Sequence, residues 1–162
     1  MKLFHGSTVC VEHPRLLDAS RRLDFGTGFY TTSSEAQARR WAQIKKRREA
    51  SVRGMLSVYE ADLSITDGIP LIKHFDAPTE EWLDFVMANR MGTPVIAKYD
   101  IVVGPVANDT LYETLSLYER SILTRAETIS RLRTHTLADQ VAFRSKAGLG
   151  RLTFVSCVEV EV

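Results

Sequence analysis

The stretch Asp24–Trp41, DFGTGFYTTSSEAQARRW, is the one whose reading decides the fold. Gly26 and Gly28 bracket a turn, and Phe29, Tyr30, Thr31 and Thr32 read as a short strand. Ser33 and Ser34 then offer a helix N-cap, with Gln37 three residues after Ser34 as a capping-box partner. The unit is turn, strand, helix, and the helix runs from about Ser34 to Arg48 with Ala38, Trp41, Ala42 and Lys45 on one face. Tyr30 and Trp41 flank the strand-to-helix junction. Aromatic faces stack offset and gain about 0.5–1.5 kcal/mol per pair beyond burial, so the two could hold a flat heteroaromatic ring between them.

Upstream, Lys2–His5 reads as a strand that ends at His5-Gly6-Ser7, where the glycine lets a ligand approach the main chain. Residues 8–23 look irregular, and Pro14 with Leu16 and Leu17 suggests a covering loop or helical turn. Downstream, Met55–Leu63 alternates as a strand does, and Asp67-Gly68 marks a turn. In Thr79–Arg90, Trp82, Phe85, Val86 and Asn89 recur at helical spacing behind an acidic first turn, so Trp82 is read as core. Tyr99–Val103 reads as a buried strand stopped by Gly104-Pro105. Asn108-Asp109-Thr110 then caps a helix whose stripe is Leu111, Leu115, Tyr118 and Ile122, with Thr110 and Glu113 in capping-box spacing. A further capping box, Thr124 to Glu127, starts a helix or a kink with Ala126, Ile129 and Leu132 as its apolar face. Asp139–Phe143 and Arg151–Val162 are the last strands, the second alternating through Val158, Val160 and Val162. This mixed order, without regular βαβ alternation, predicts an α+β fold, and no repeat or linker splits the 162 residues into more than one domain.

The balance of 21 basic against 20 acidic residues, a formal charge of +1, supplies no global field for nucleic acid or an anionic membrane. The local exception is Lys45-Lys46-Arg47-Arg48. It is read either as a solvated helix end that complements the helix dipole or as a contact for phosphate or an acidic partner. Two cysteines, Cys10 and Cys157, make no disulfide framework. Cys10 and His13 stand in Cys-x-x-His spacing without a second pair, so no metal site is read. His74 and His135 have no evident partners. Met1–Gly6 runs into polar residues before a signal-peptide core could form, and no run approaches the roughly 20 apolar residues of a membrane span, so a cytoplasmic protein is expected.

His5-Gly6-Ser7 followed by Gly26-Thr27-Gly28-Phe29-Tyr30, with Trp41 eleven residues after Tyr30, resembles the diphtheria-toxin-like and poly(ADP-ribose)-polymerase-like branch of the ADP-ribosyltransferases. The chain also resembles, over nearly its whole length, a small bacterial family of uncharacterised proteins of that superfamily. The shared segments are the opening His-Gly-Ser, Asp-Phe-Gly-x-Gly-Phe-Tyr, Asp100 to Asp109, and Asp-Gln-x-x-Phe at Asp139–Phe143. The resemblance implies a split mixed or antiparallel sheet with inserted helices and NAD in the cleft between its halves. It implies that His5 bonds an adenosine-ribose hydroxyl and that Gly6 reads the nicotinamide carboxamide through its backbone, with Ser7 adding a hydroxyl. Gly28 belongs to the same cofactor-binding set, and Tyr30 and Trp41 stack on the nicotinamide. Cleaving the nicotinamide–ribose bond develops positive charge on the sugar, which the protein must stabilise.

Where the family carries a late-strand glutamate, this chain has Gln140, which can bond the ribose but brings no charge and cannot act as a general base. Asp139 cannot simply replace it, because neighbouring strand residues point to opposite faces. The catalytic set implied is His5, Tyr30 and Gln140. The activity implied is NAD-dependent mono-ADP-ribosyl transfer by a bacterial effector or toxin of a toxin–antitoxin or defence system, with a cognate antitoxin or regulatory protein as partner. The acceptor is open among protein, nucleic acid and small molecule. Two alternatives stand beside this: a non-catalytic NAD or ADP-ribose binding module, and an NAD glycohydrolase. The segment Gly104-Pro105 with Asn108-Asp109 is read as a turn and cap, with a site-lining or partner role as the alternative.

Overall fold

The computed structural model describes residues 1–16, 23–93, 98–105, 109–134 and 138–161. Among the described residues, seven strands and five helices follow in the order β1 (Lys2–Ser7), β2 (Phe29–Thr31), α1 (Glu35–Arg48), β3 (Met55–Ala61), β4 (Ile72–His74), α2 (Glu80–Met91), β5 (Ile101–Pro105), α3 (Asp109–Glu119), α4 (Arg125–Leu132), β6 (Asp139–Phe143), α5 (Lys146–Leu149) and β7 (Leu152–Glu159). The strands form two sheets, an antiparallel β1-β3-β7 and a mixed β2-β6-β5-β4 in which only β4 and β5 run parallel. The fold is thus α+β.

The alternation of side chains along each strand builds the layers. In β1, Phe4 packs with Ala38 and Ala42 of α1 and with Leu56 and Val58 of β3, whereas its neighbour Leu3 packs inward on Tyr59 and against the second sheet. In the second sheet, Phe29, Ile101, Val141 and Phe143 meet the first sheet, while Val102 and Ala142 face the other way into a cluster with Trp82, Leu83, Phe85 and Val86 of α2, Leu111 and Leu115 of α3, and Ile129 and Leu132 of α4. The order is one helix, two stacked sheets, then three helices. The sheets also touch edgewise through one bridge, Phe4 with Thr32, whose two backbone hydrogen bonds measure 2.9 and 3.0 Å. Beyond that bridge β1 and β2 diverge.

Helix α1 lies so close to β1 that a Cβ on Gly6 would stand 2.0 Å from the Ala38 carbonyl oxygen and 2.7 Å from the Ala42 nitrogen. A glycine on the strand faces two alanines on the helix, and each residue is as small as the approach demands. The loop before β2 is fixed from the other side. Gly26 takes a φ of +78°, and Asp24 meets Arg90 of α2 at 3.3 Å, the guanidinium lying 4.6 Å above the Tyr112 ring. Burial pushes the Asp24 carboxyl upward, and Arg90 opposes that shift.

Most expected elements are present, with corrections. Gly104 and Pro105 do not stop β5; they are its last residues, paired with Gln140 and Asp139. Met55–Ala61 is not half-exposed as strict alternation implies: Leu56, Ser57, Val58 and Tyr59 are all buried, because α1 covers one face of β3 and the second sheet the other. Ile122 is exposed and lies beyond α3, which ends at Glu119, with Ser121 at a φ of 59°. Ala126 is exposed, and the buried face of α4 is Thr128, Ile129 and Leu132. The Thr124–Glu127 capping box is complete. The Ser34 cap is half of one: its hydroxyl accepts from the Gln37 backbone N–H at 3.3 Å, without the reciprocal side-chain bond. Leu17, Asn108, His135 and Val162 lie outside the described residues, and with them the Asn108 cap.

Because a Cβ at Gly6 meets helix backbone rather than a movable side chain, Gly6→Ala is expected to lower stability by about 3 kcal/mol, read as a shift of the urea midpoint at unchanged slope. An unshifted midpoint would show that α1 moves away from β1 freely.

Candidate functional site

Where β1 and β2 part, the two sheets, α1 and the segment after β1 enclose a cleft of about 620 Å³. The seven site residues implied by the resemblance all line it: His5, Gly6, Ser7, Gly28, Tyr30, Trp41 and Gln140. They come from four elements and from the loop before β2.

His5 shares the inward face of β1 with Leu3 and Ser7. Its Nδ1 lies 2.7 Å from the Tyr30 carbonyl oxygen, and its ring centroid lies 4.4 Å from that of Phe29. A carbonyl only accepts, so Nδ1 carries the proton and Nε2 is left as an acceptor. Desolvation, with Lys45 nearby as the second cause, lowers the imidazole to about pH 4 against the pull of the Tyr30 carbonyl, so His5 is neutral throughout the physiological range. It reads a donor and is not a cation.

Tyr30 lies on the opposite face of β2 from Phe29 and packs against the helical cluster. Its hydroxyl donates to the Gly26 carbonyl and is held far from ionisation by burial first and Asp24 second. The loop glycine therefore anchors the ring edgewise. Trp41 is 37% exposed within the cleft, whereas Trp82 is fully buried in the core as expected. On α1, Ala38 and Ala42 turn to β1, and the stripe Gln37, Trp41, Lys45 at i, i+4 and i+8 borders the cleft. Gly6 lacks a Cβ because α1 occupies that direction; its backbone is what the cleft sees.

Gln140 and Asp139 separate as adjacent strand residues must. Gln140 borders the cleft. Asp139 Oδ1 instead accepts from the Ser33 N–H at 3.1 Å, the Ser33 hydroxyl at 2.7 Å and the Thr32 hydroxyl at 3.2 Å. The aspartate thus pins the turn from β2 into α1, and with it the helix that carries Trp41. Asp100 works similarly elsewhere, accepting from the Leu71 N–H at 2.8 Å and from the Ser145 hydroxyl.

Sequence reasoning missed three parts of the wall. Gln37, read as a cap, has a buried Oε1 without a hydrogen-bond partner. Its spacing to Trp41 was the available signal. Phe29 supports His5. The segment after β1 contributes Val9, Val11, His13 and Arg15, held by the Val11 N–H to Ser57 Oγ at 3.0 Å and by the Tyr59 hydroxyl on the Val11 carbonyl. Among the described residues no Asp or Glu lines the cleft. Gly104 packs on Phe25 and Phe75 and does not border it. No group of three or more His, Cys, Asp or Glu among the described residues could hold a metal, and no helix among them is long and apolar enough to cross a membrane.

These features define an α+β protein with a largely apolar, aromatic-walled cleft, bordered by cations and amides and assembled from segments far apart in the chain. The chain belongs to the family DUF3990, described as a protein of unknown function, whose model matches residues 1–154. No curated protein and no solved structure matches it.

The neutral His5 carries a pH dependence of its own. The unfolded imidazole takes up a proton near pH 6.5 and the folded one near pH 4, so the folded state is fully favoured above pH 6.5 and loses roughly 3 kcal/mol as pH falls to 4. The difference in urea midpoint between wild type and His5→Gln should therefore change across that window and stay constant above it. A difference independent of pH would show that His5 titrates normally.

Proposed function

We propose that this protein is an NAD-dependent mono-ADP-ribosyltransferase with an ADP-ribosyltransferase-like split sheet, acting as a bacterial toxin or effector. The observation that carries the reading is the convergence of His5, Gly6, Ser7, Tyr30, Trp41 and Gln140 on one cleft, although they lie as far as 135 positions apart in the sequence. Each offers what the chemistry wants. His5 Nε2 accepts from an adenosine-ribose hydroxyl, and the exposed Gly6 backbone pairs with the nicotinamide carboxamide beside Ser7. Tyr30, edge-anchored on Gly26, and Trp41 hold the nicotinamide flat. Gln140 bonds the nicotinamide-ribose 2′-hydroxyl as the glycosidic bond breaks. Nicotinamide leaves with the bonding electron pair, the ribose becomes oxocarbenium-like, and the acceptor attacks its anomeric carbon.

A second reading is favoured by one observation. The cleft wall holds no carboxylate among the described residues, so nothing there supplies negative charge to the cationic sugar or a strong base to the acceptor. A module that binds NAD or ADP-ribose without cleaving it, with its output through a partner protein, fits that wall. Water as acceptor would make the protein an NAD glycohydrolase.

Nicotinamide release from NAD, with and without cell extract, separates these readings. Transfer predicts release that extract stimulates, that His5→Ala and Trp41→Ala reduce about 100-fold, and that Gln140→Glu raises at least about tenfold by adding charge where it develops. Release indifferent to extract makes it a hydrolase. NAD binding without release makes it a binding module, and neither binding nor release ends the NAD reading.

A further inference from the structure

Of the basic run Lys45–Arg48, which closes α1, only Lys45 borders the cleft; Arg47 and Arg48 are exposed. Lys45 sits one turn past Trp41, and its side chain is half-buried. Among the described residues its ammonium has no ion-pair partner within 4 Å. The Glu49 carboxylate, one turn further, takes the Thr8 hydroxyl at 2.8 Å. Arg15, exposed on the segment after β1, borders the same cleft, also without an ion pair among the described residues. Two cations thus face a wall without a carboxylate.

A long basic side chain often lies on a surface only to cover apolar atoms with its stem. Two features set Lys45 apart. Its charge is placed where burial penalises it, lowering its pKa, with Glu49 opposing the shift, and no carboxylate among the described residues comes within 4 Å of it. It also acts on His5, the group that stays neutral and accepts a hydroxyl. In the function proposed above, that charge lies at the sugar-reading end of the cleft. The anion that pairs with a lysine and an arginine beside a sugar hydroxyl is a phosphate.

We infer that Lys45, with Arg15 as a second cation, forms a phosphate subsite at the His5 end of the cleft, which admits nucleotides and disfavours the corresponding nucleosides. The phosphate can be the diphosphate bridge of a dinucleotide or a phosphate esterified to its adenosine ribose. The sugar at His5 and the choice of dinucleotide rest on the function proposed above; the two cations without ion pairs among the described residues, on a wall without a carboxylate, do not.

The test is calorimetric titration of the full chain with adenosine, AMP, inorganic diphosphate, NAD and NADP at two salt concentrations. Lys45→Met keeps the stem and removes the charge, and Arg48→Met is the control for general loss of charge at the helix end. The subsite predicts that wild type binds AMP and diphosphate, that Lys45→Met weakens both about tenfold, that adenosine binding is unaltered, and that the salt dependence flattens. Arg48→Met should change none of these. If NADP binds more tightly than NAD and loses that advantage in Lys45→Met, the phosphate is on the ribose. Equal losses for both dinucleotides place it in the bridge. AMP and diphosphate binding that depends on Lys45 while NAD is ignored would keep the subsite and end the NAD reading. NAD binding indifferent to Lys45→Met would end the subsite and keep the NAD reading. Losses shared equally by adenosine and AMP, or no binding of any probe, overturn the subsite as well.

Discussion

The contact on which the structure depends is the near-absence of space between Gly6 of β1 and Ala38 and Ala42 of α1. Two alanines and a glycine let helix backbone rest almost directly on strand backbone, which places the next helical face, Gln37, Trp41 and Lys45, along the cleft rim. Any larger residue there would lift the helix and move the tryptophan and the lysine together. The same small-residue contact explains the order of the layers, since Phe4, Leu56 and Val58 fill the flanks of a space whose middle is already closed.

Electrostatics follows from that placement. The cleft is enclosed enough to keep His5 neutral, and the Tyr30 carbonyl orients its ring so that an acceptor nitrogen remains. The acidic residue nearest in sequence to Gln140 is spent on the turn at Thr32 and Ser33, so its charge holds the helix in place and does not enter the cleft. Adjacent residues of one strand thereby divide the work: Asp139 builds the wall that Gln140 looks across.

Much of this was legible in the sequence because it was local. The Ser34 and Thr124 caps, the Trp82 helix and the β6 limits depend on spacing within a few residues, and the structure has them. That His5, Gly6, Ser7, Gly28, Tyr30 and Gln140 would share one cleft was an expectation drawn from the resemblance, and these six residues do line one. What was not legible is set by contacts between distant segments. The second sheet covers one face of β3 and α1 the other, which no periodicity within Met55–Leu63 announces. Gly104-Pro105 read as a breaker, yet backbone pairing with Gln140 and Asp139 carries β5 through both residues. Gln37 read as a cap because three residues separate it from Ser34, and it reached the cleft because Ala38 and Ala42 had already fixed the rotation of the helix. The segment after β1 carries no pattern of its own and is placed by Ser57 and Tyr59.

The pairing of β2 with β6, in which Thr31 reaches Val141 across 110 positions, has a consequence for synthesis. A chain growing from its N-terminus displays His5, Tyr30 and Trp41 well before the strand that carries Gln140, and α1 gains its full sheet only when β7 docks on β3. Contacts of such high order form last. The cleft therefore requires β6 to have emerged and paired with β2: a nascent chain cut before Asp139 lacks the wall that carries Gln140.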